Sequence, residues 1–124
     1  MKEQDRITKL LAKLLQQTQE GTLVWEAGKP PRDLTFGTED VADTVFISEK
    51  KGRILRLFPY KTKFYTDEEE YHWEDGVALD ISDEKESSWW RFPQNPIILD
   101  LLEAVKFNTV DVEGFINGLL SEED

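Results

Sequence analysis

Cysteine is missing from the chain, which excludes disulfide scaffolds, thiol nucleophiles and thiolate metal sites together. Histidine occurs once, as His72, so a His-rich metal site is excluded as well. No apolar run reaches the length that spans a bilayer. The opening MKEQDRITKL has no apolar h-region, and the expectation is a soluble, cytoplasmic domain. Neither G-x-G-x-x-G nor G-x-x-x-x-G-K-[ST] is present among the seven scattered glycines, so a phosphate-cradling loop is not expected. There is no G-x-S-x-G elbow to pair with His72. The acidic stretches 67–75 and 80–86 lack the alternating ligands and glycine of a calcium loop. No catalytic residue, metal or cofactor is expected.

What remains is 124 residues of 14.5 kDa, 39% apolar, with four Trp, three Tyr and seven Phe. That length suits one domain, 1–124. Disordered chains are poor in aromatic and β-branched residues, and this one is rich in both, so a packed core is expected.

The net charge of −11 repels phosphate backbones and anionic membranes at long range, which argues against general nucleic-acid binding and membrane docking. The charge is uneven. Lys50, Lys51, Arg53, Arg56, Lys61 and Lys63 fall in a stretch without an acidic residue; ten acidic residues between Asp67 and Glu86 then face a single Lys85. Either these are adjacent antiparallel strands with opposite charges facing each other, or the first is a basic patch set in an acidic protein, marking an anion or acidic-partner site.

Ile7, Leu10, Leu11, Leu14 and Leu15 form one helical stripe in 1–20, ended by Gly21. Residues 22–82 read as an antiparallel meander. Strands are expected at Thr22–Trp25, at Asp43–Ser48 and from Arg53, with a short edge strand at Leu34–Phe36. A hairpin turn is expected at Glu49–Gly52. Pro59 is expected to bend or end the strand from Arg53, which resumes past a bulge or as a separate strand over 60–66. Asp67–Glu70 reads as an acidic turn. Tyr71–Trp73 is strand-like, Asp75–Gly76 a turn dipeptide, and Val77–Ile81 a half-buried strand. In 89–120 an aromatic segment precedes two short helices, the first with Asn95 as N-cap and Pro96 at its first position. The tail 121–124 reads as frayed. Helix, four to six antiparallel strands and two helices make a two-layer α+β domain.

Two constellations are candidates for function. Arg53, Arg56, Lys61 and Lys63 interleave with Tyr60 and Phe64, a composition that holds a phosphate and stacks a base; sheet packing with strand-to-strand ion pairs is the plainer account. Trp89, Trp90, Arg91 and Phe92 form the second. Adjacent tryptophans in an extended segment point to opposite sides, so one packs under the C-terminal helix and the other stays partly exposed. With Arg91 beside it, the exposed ring has the composition of an interface hot spot. Glu70, His72 and Glu74 share a strand face as a solvated polar row.

The succession of helix, T-L-V-W-E, meander, W-W-R-F-P, L-L-E-A-V and V-E-G-F-I-N-G-L-L resembles a scattered class of short bacterial proteins. The resemblance covers most of the length and rests on layout and apolar spacing. It implies the α+β layout and carries no catalytic or binding role. The expected function is non-enzymatic: an inhibitor- or immunity-like interaction module whose acidic face meets a basic protein partner, or a homodimer. The alternative is a binder of a phosphorylated or nucleotide-like ligand at the basic hairpin 50–65.

Overall fold

A computed structural model describes residues 2–122. Met1 of the expected helix, and Glu123 and Asp124 of the expected acidic tail, lie outside the described residues. The fold is α+β. An N-terminal helix α1 (Glu3–Glu20) precedes five strands, β1 (Glu26–Gly28), β2 (Val45–Lys50), β3 (Arg53–Tyr65), β4 (Tyr71–Ser82) and β5 (Trp89–Arg91). Helices α2 (Pro96–Thr109) and α3 (Val112–Leu120) follow. The strands pair antiparallel in chain order, β1 to β5. No helix among the described residues is long and apolar enough to cross a membrane.

Local chemistry accounts for the helices. Gly21 takes φ 80° and closes α1 by donating its N–H to Thr18 O. Asn95 caps α2 as the sequence predicts: its side chain accepts from Ile97 N at 3.0 Å, and Pro96 supplies a first position that needs no donor. Asn95 Nδ2 also reaches Thr8 Oγ1, and Asn108 Nδ2 donates to Thr18 O at 2.6 Å. These bonds hold α1 and α2 side by side, running in the same direction.

Both helices lie on one face of the sheet, over a core built from Leu11, Leu14, Trp25, Phe46, Leu57, Leu79, Phe92, Leu101 and Val105. The other face is covered by the chain between β1 and β2. There Leu34 packs on Val45, Phe58 and Ala78. The edge strand expected at Leu34–Phe36 is instead a 3₁₀ turn, Arg32–Leu34, followed by a second turn. Leu34 N donates to Pro31 O and Thr38 N to Thr35 O, so these donors close locally while Leu34 drops into the core. Thr22–Trp25 also stays out of the ladder. Thr22 N and Leu23 N both donate to Gln17 O at the helix end, and pairing starts only at Glu26 with Ile47.

The largest departure from expectation is the central hairpin. β3 runs unbroken through Pro59, and β4 through Asp75–Gly76, in one ladder from Leu55 with Ile81 to Tyr65 with Tyr71. Lys61 N donates to Val41 O, so the odd-numbered amides of β3 point toward β2. At Pro59 that side is vacant: β2 pairs last at Phe46 with Leu57, and contact resumes at Val41 with Lys61 after five steps on one strand and four on the other. The missing donor therefore falls at a bulge, where no ladder bond is lost. Gly76 sits opposite Tyr60, whose ring crosses it: a Cβ there would lie 2.4 Å from Tyr60 Cζ. The reversal comes at Asp67–Glu70, the acidic turn the sequence predicts, with Asp67 Oδ1 accepting from Glu69 N and Glu70 N. At the other end Lys51 (φ 55°) and Gly52 (φ 76°) make the two-residue turn that joins β2 and β3.

Candidate functional site

The β3–β4 hairpin outruns the rest of the sheet. Past Lys61 it pairs with no third strand among the described residues, and residues 64–75 are all exposed. This arm carries aromatic side chains on both faces. On the helix-side face Tyr65, Tyr71 and Trp73 form a ladder, with ring centroids 5.6 Å apart for Tyr65–Tyr71 and 5.9 Å for Tyr71–Trp73. On the opposite face Phe64 packs on the His72 ring at 5.2 Å, and His72 Nε2 lies 3.1 Å from Glu74 Oε1. Phe64, Tyr65, Tyr71 and Trp73 are each about half exposed.

A strut from the β1–β2 connection holds the arm. Glu39 Oε2 accepts from the Tyr65 hydroxyl at 2.6 Å and from Lys63 Nζ at 3.0 Å. Lys63 in turn lies 4.4 Å from the Tyr71 ring centroid and 5.6 Å from that of Trp73. The two donors hold the Glu39 carboxyl below its ordinary pKa, the Tyr65 bond first and the Lys63 bond second. Bonding to Glu39 pushes the Tyr65 phenol and the Lys63 ammonium upward.

The basic residues singled out by sequence are not brought together. Strand alternation puts Arg53, Lys61 and Lys63 on the helix-side face and Arg56, Tyr60 and Phe64 on the other. Arg53 is exposed opposite Lys50 at the turn, and Lys61 is exposed opposite Asp75. Arg56 is only 6% exposed. Its Nε donates to Asp80 Oδ2 at 3.1 Å and its Nη1 to Asp33 Oδ2 at 3.2 Å, while the guanidinium lies 3.9 Å above the Trp89 ring. Arg91 completes this network: Nε donates to Asp80 Oδ1 at 2.8 Å and Nη2 to Oδ2 at 3.2 Å, which raises the Arg91 pKa. Arg56 and Arg91 are matched by Asp80 and Asp33.

The second constellation divides as alternation requires. The more buried ring does not pack under a C-terminal helix as expected: the register sets Trp89 beside Ser82 on the face away from the helices, half-buried under Arg56, while Trp90 is half-exposed on the helix side. Trp90 meets Phe92 edge-on at 4.9 Å. Phe92 itself belongs to the core, so Trp90 and Arg91 are what this segment presents to solvent.

Between the arm and the N-terminal end of α2 lies a groove of about 790 Å³, lined by Pro59, Lys61, Val77, Pro96, Ile98 and Leu99 among others. The first amides of α2 are already used, Ile97 N by Asn95 Oδ1 and Ile98 N by Asn95 O, so this helix end offers no anion cradle. Among the described residues no group of three or more His, Asp or Glu side chains is placed to hold a metal ion. Glu39 carries no signal in the sequence because its partners, Lys63 and Tyr65, lie 24 and 26 residues away. The Tyr65–Tyr71–Trp73 ladder was not legible either: a turn confined to 67–70 would set 66 opposite 71, whereas the loop takes in Thr66 and sets Tyr65 opposite Tyr71. Comparison with models of known families, with curated proteins and with solved structures yields no match.

Proposed function

We propose that this chain is a small acidic interaction module that acts by binding rather than catalysis and contacts a basic protein partner through the β3–β4 arm. The observation that carries the reading is the arm itself: four half-exposed aromatic side chains, pre-set on a two-stranded ribbon, behind a turn made of Asp67, Glu68, Glu69 and Glu70. Tyr and Trp are the side chains that dominate interface energetics, because they bring large contact area at low entropic cost. The acidic turn and the charge of −11 supply long-range attraction toward a positive surface and suppress binding to acidic ones. That combination is the logic of inhibitor- and immunity-type proteins. The alternative of a phosphorylated ligand at 50–65 has less support, because Arg56 is buried between carboxylates and Lys63 is held by Glu39.

The test is affinity capture with the tagged chain beside its Tyr71→Ala/Trp73→Ala variant, captured proteins being identified by mass spectrometry. A basic protein held by the parent chain, lost with the double variant and released by rising salt is the expected result. Equal capture by both chains, with thermal unfolding unchanged, rejects the arm as the contact surface.

A further inference from the structure

The C-terminal helix is the least embedded of the three helices. None of the α3 residues is buried; Phe115 is 71% and Leu120 79% exposed, with Ile116 and Leu119 open beside them. A nine-residue helix with glycines at 114 and 118 has little stability of its own, so its apolar face needs a cover. The exposed side of α2 continues this surface through Leu99, Phe107 and Val110. Positions 99, 103, 106 and 110 lie on one outward stripe, separated by four, three and four residues, the spacing of a coiled-coil seam. Turned end for end the stripe matches itself: Leu99 meets Val110, and Glu103 meets Lys106.

We propose that the chain forms a two-fold homodimer in which α2 packs antiparallel on α2 of a second copy, with Leu99 against the partner's Val110 and Glu103 against the partner's Lys106. The occupant is a second copy because the stripe is complementary to itself in both apolar and charged positions. The same register accounts for α3. Antiparallel packing carries the C-terminal end of each α2 to the N-terminal end of the other, and α3 begins at Val112, two residues beyond Val110. Leu99 lines the groove of about 790 Å³ together with Pro59, Val77, Pro96 and Ile98. Each α3 therefore starts at the mouth of the other copy's groove, where its apolar side chains find the cover they lack at home. Phe107 and Phe115 alone add roughly 200 Å² of exposed aromatic surface per protomer to the contact. Two-fold symmetry makes the exchange reciprocal and closes the assembly at two copies.

Charge gives this dimer a signature of its own. Two chains of −11 repel each other at long range, and only the paired Glu103–Lys106 contacts oppose that locally. Added salt screens the repulsion and tightens the dimer, whereas it weakens attachment of a basic partner at the arm.

The test is sedimentation equilibrium of the intact chain over a range of concentrations in low and high salt, beside disulfide trapping. The chain has no cysteine of its own, so introduced thiols report without background. Expected are a dimer that tightens with salt, a Val110→Asp variant with a dissociation constant raised about 30-fold or more, and a covalent dimer from Leu99→Cys/Val110→Cys on oxidation. Leu99→Cys or Val110→Cys alone stays uncross-linked, because eleven residues of helix separate like positions by about 16 Å, far beyond disulfide reach. A chain that is monomeric at every concentration and salt, or single variants that cross-link as well as the double one, overturns the proposal. Because none of these variants alters the arm, that failure leaves the reading of the arm to its own capture test.

Discussion

Arg56 and Asp80 face each other across the β3–β4 ladder, Nε to Oδ2 at 3.1 Å, both all but closed to solvent. Removing one member of such a pair strands the other charge in a dry site, which costs about 3–5 kcal/mol. Asp80→Ala is expected to fall in that range by denaturant unfolding, since Asp80 accepts from both Arg56 and Arg91. Asp33→Ala removes the outer, largely exposed partner of Arg56 and is expected to cost about 1 kcal/mol or less. Equal losses for the two variants would contradict this ordering.

Gly76 is required by the ring that crosses it. Gly76→Ala is expected to destabilise the fold by about 1–3 kcal/mol, because the added methyl forces Tyr60 off its seat beside Phe58. In a Tyr60→Thr background the same substitution should cost much less. An undiminished cost there would move the cause from the side chain to the backbone.

Thr18 serves two neighbours. It is buried in α1, where its hydroxyl donates to Leu14 O and accepts from Trp25 Nε1 at 3.1 Å. Thr18→Val keeps the shape and leaves the indole N–H unpaired, which is expected to cost about 1–3 kcal/mol. Thermal unfolding should show that penalty shrinking when Trp25→Phe is introduced as well.

The strut at Glu39 predicts titration behaviour at both ends of the pH scale. Its carboxyl is lowered, so its stabilising contribution is in place above the ordinary carboxyl pKa of 4.5 and is lost as pH falls through the folded-state value. Tyr65 and Lys63 are raised, so their contribution is in place below their ordinary values of 10.0 and 10.5 and is lost as pH climbs through the folded-state ones. Tyrosinate absorbance should show a component from Tyr65 titrating above 10.0. Tyr65→Phe should remove that component, and Glu39→Ala should bring it back toward 10.0. A high component that persists in Tyr65→Phe would assign the shift to another ring.

Legibility in the sequence tracked how local each interaction is. The stripe of α1, the Gly21 stop and the Asn95–Pro96 start of α2 are set by residues within a turn or two, and periodicity and capping chemistry were enough to place them. Pro59 and Gly76 looked like breaks because their local preferences are those of breaks. What overrides them is a bulge opposite one and a ring across the other, both made by strands far along the chain. The opposite charges of 50–63 and 67–86 do meet as Arg56 with Asp80, and Lys61 stands opposite Asp75 in the register. The burial of Arg56 was not legible, because it depends on Asp33 and Asp80, 23 and 24 residues away and known only once the register is known.

That register has a further consequence for the arm. The ladder that ends at Tyr65 with Tyr71 is the same one that begins at Leu55 with Ile81. A one-residue slip at the tip would have to propagate inward and turn Leu57 and Leu79 out of the core. The exposed rings thus borrow their positional order from the hydrophobic interior and need no core of their own. On the proposed reading, an encounter with a partner would spend little conformational freedom on ordering them. The placement of the arm's side chains is thus set inside the body of the protein.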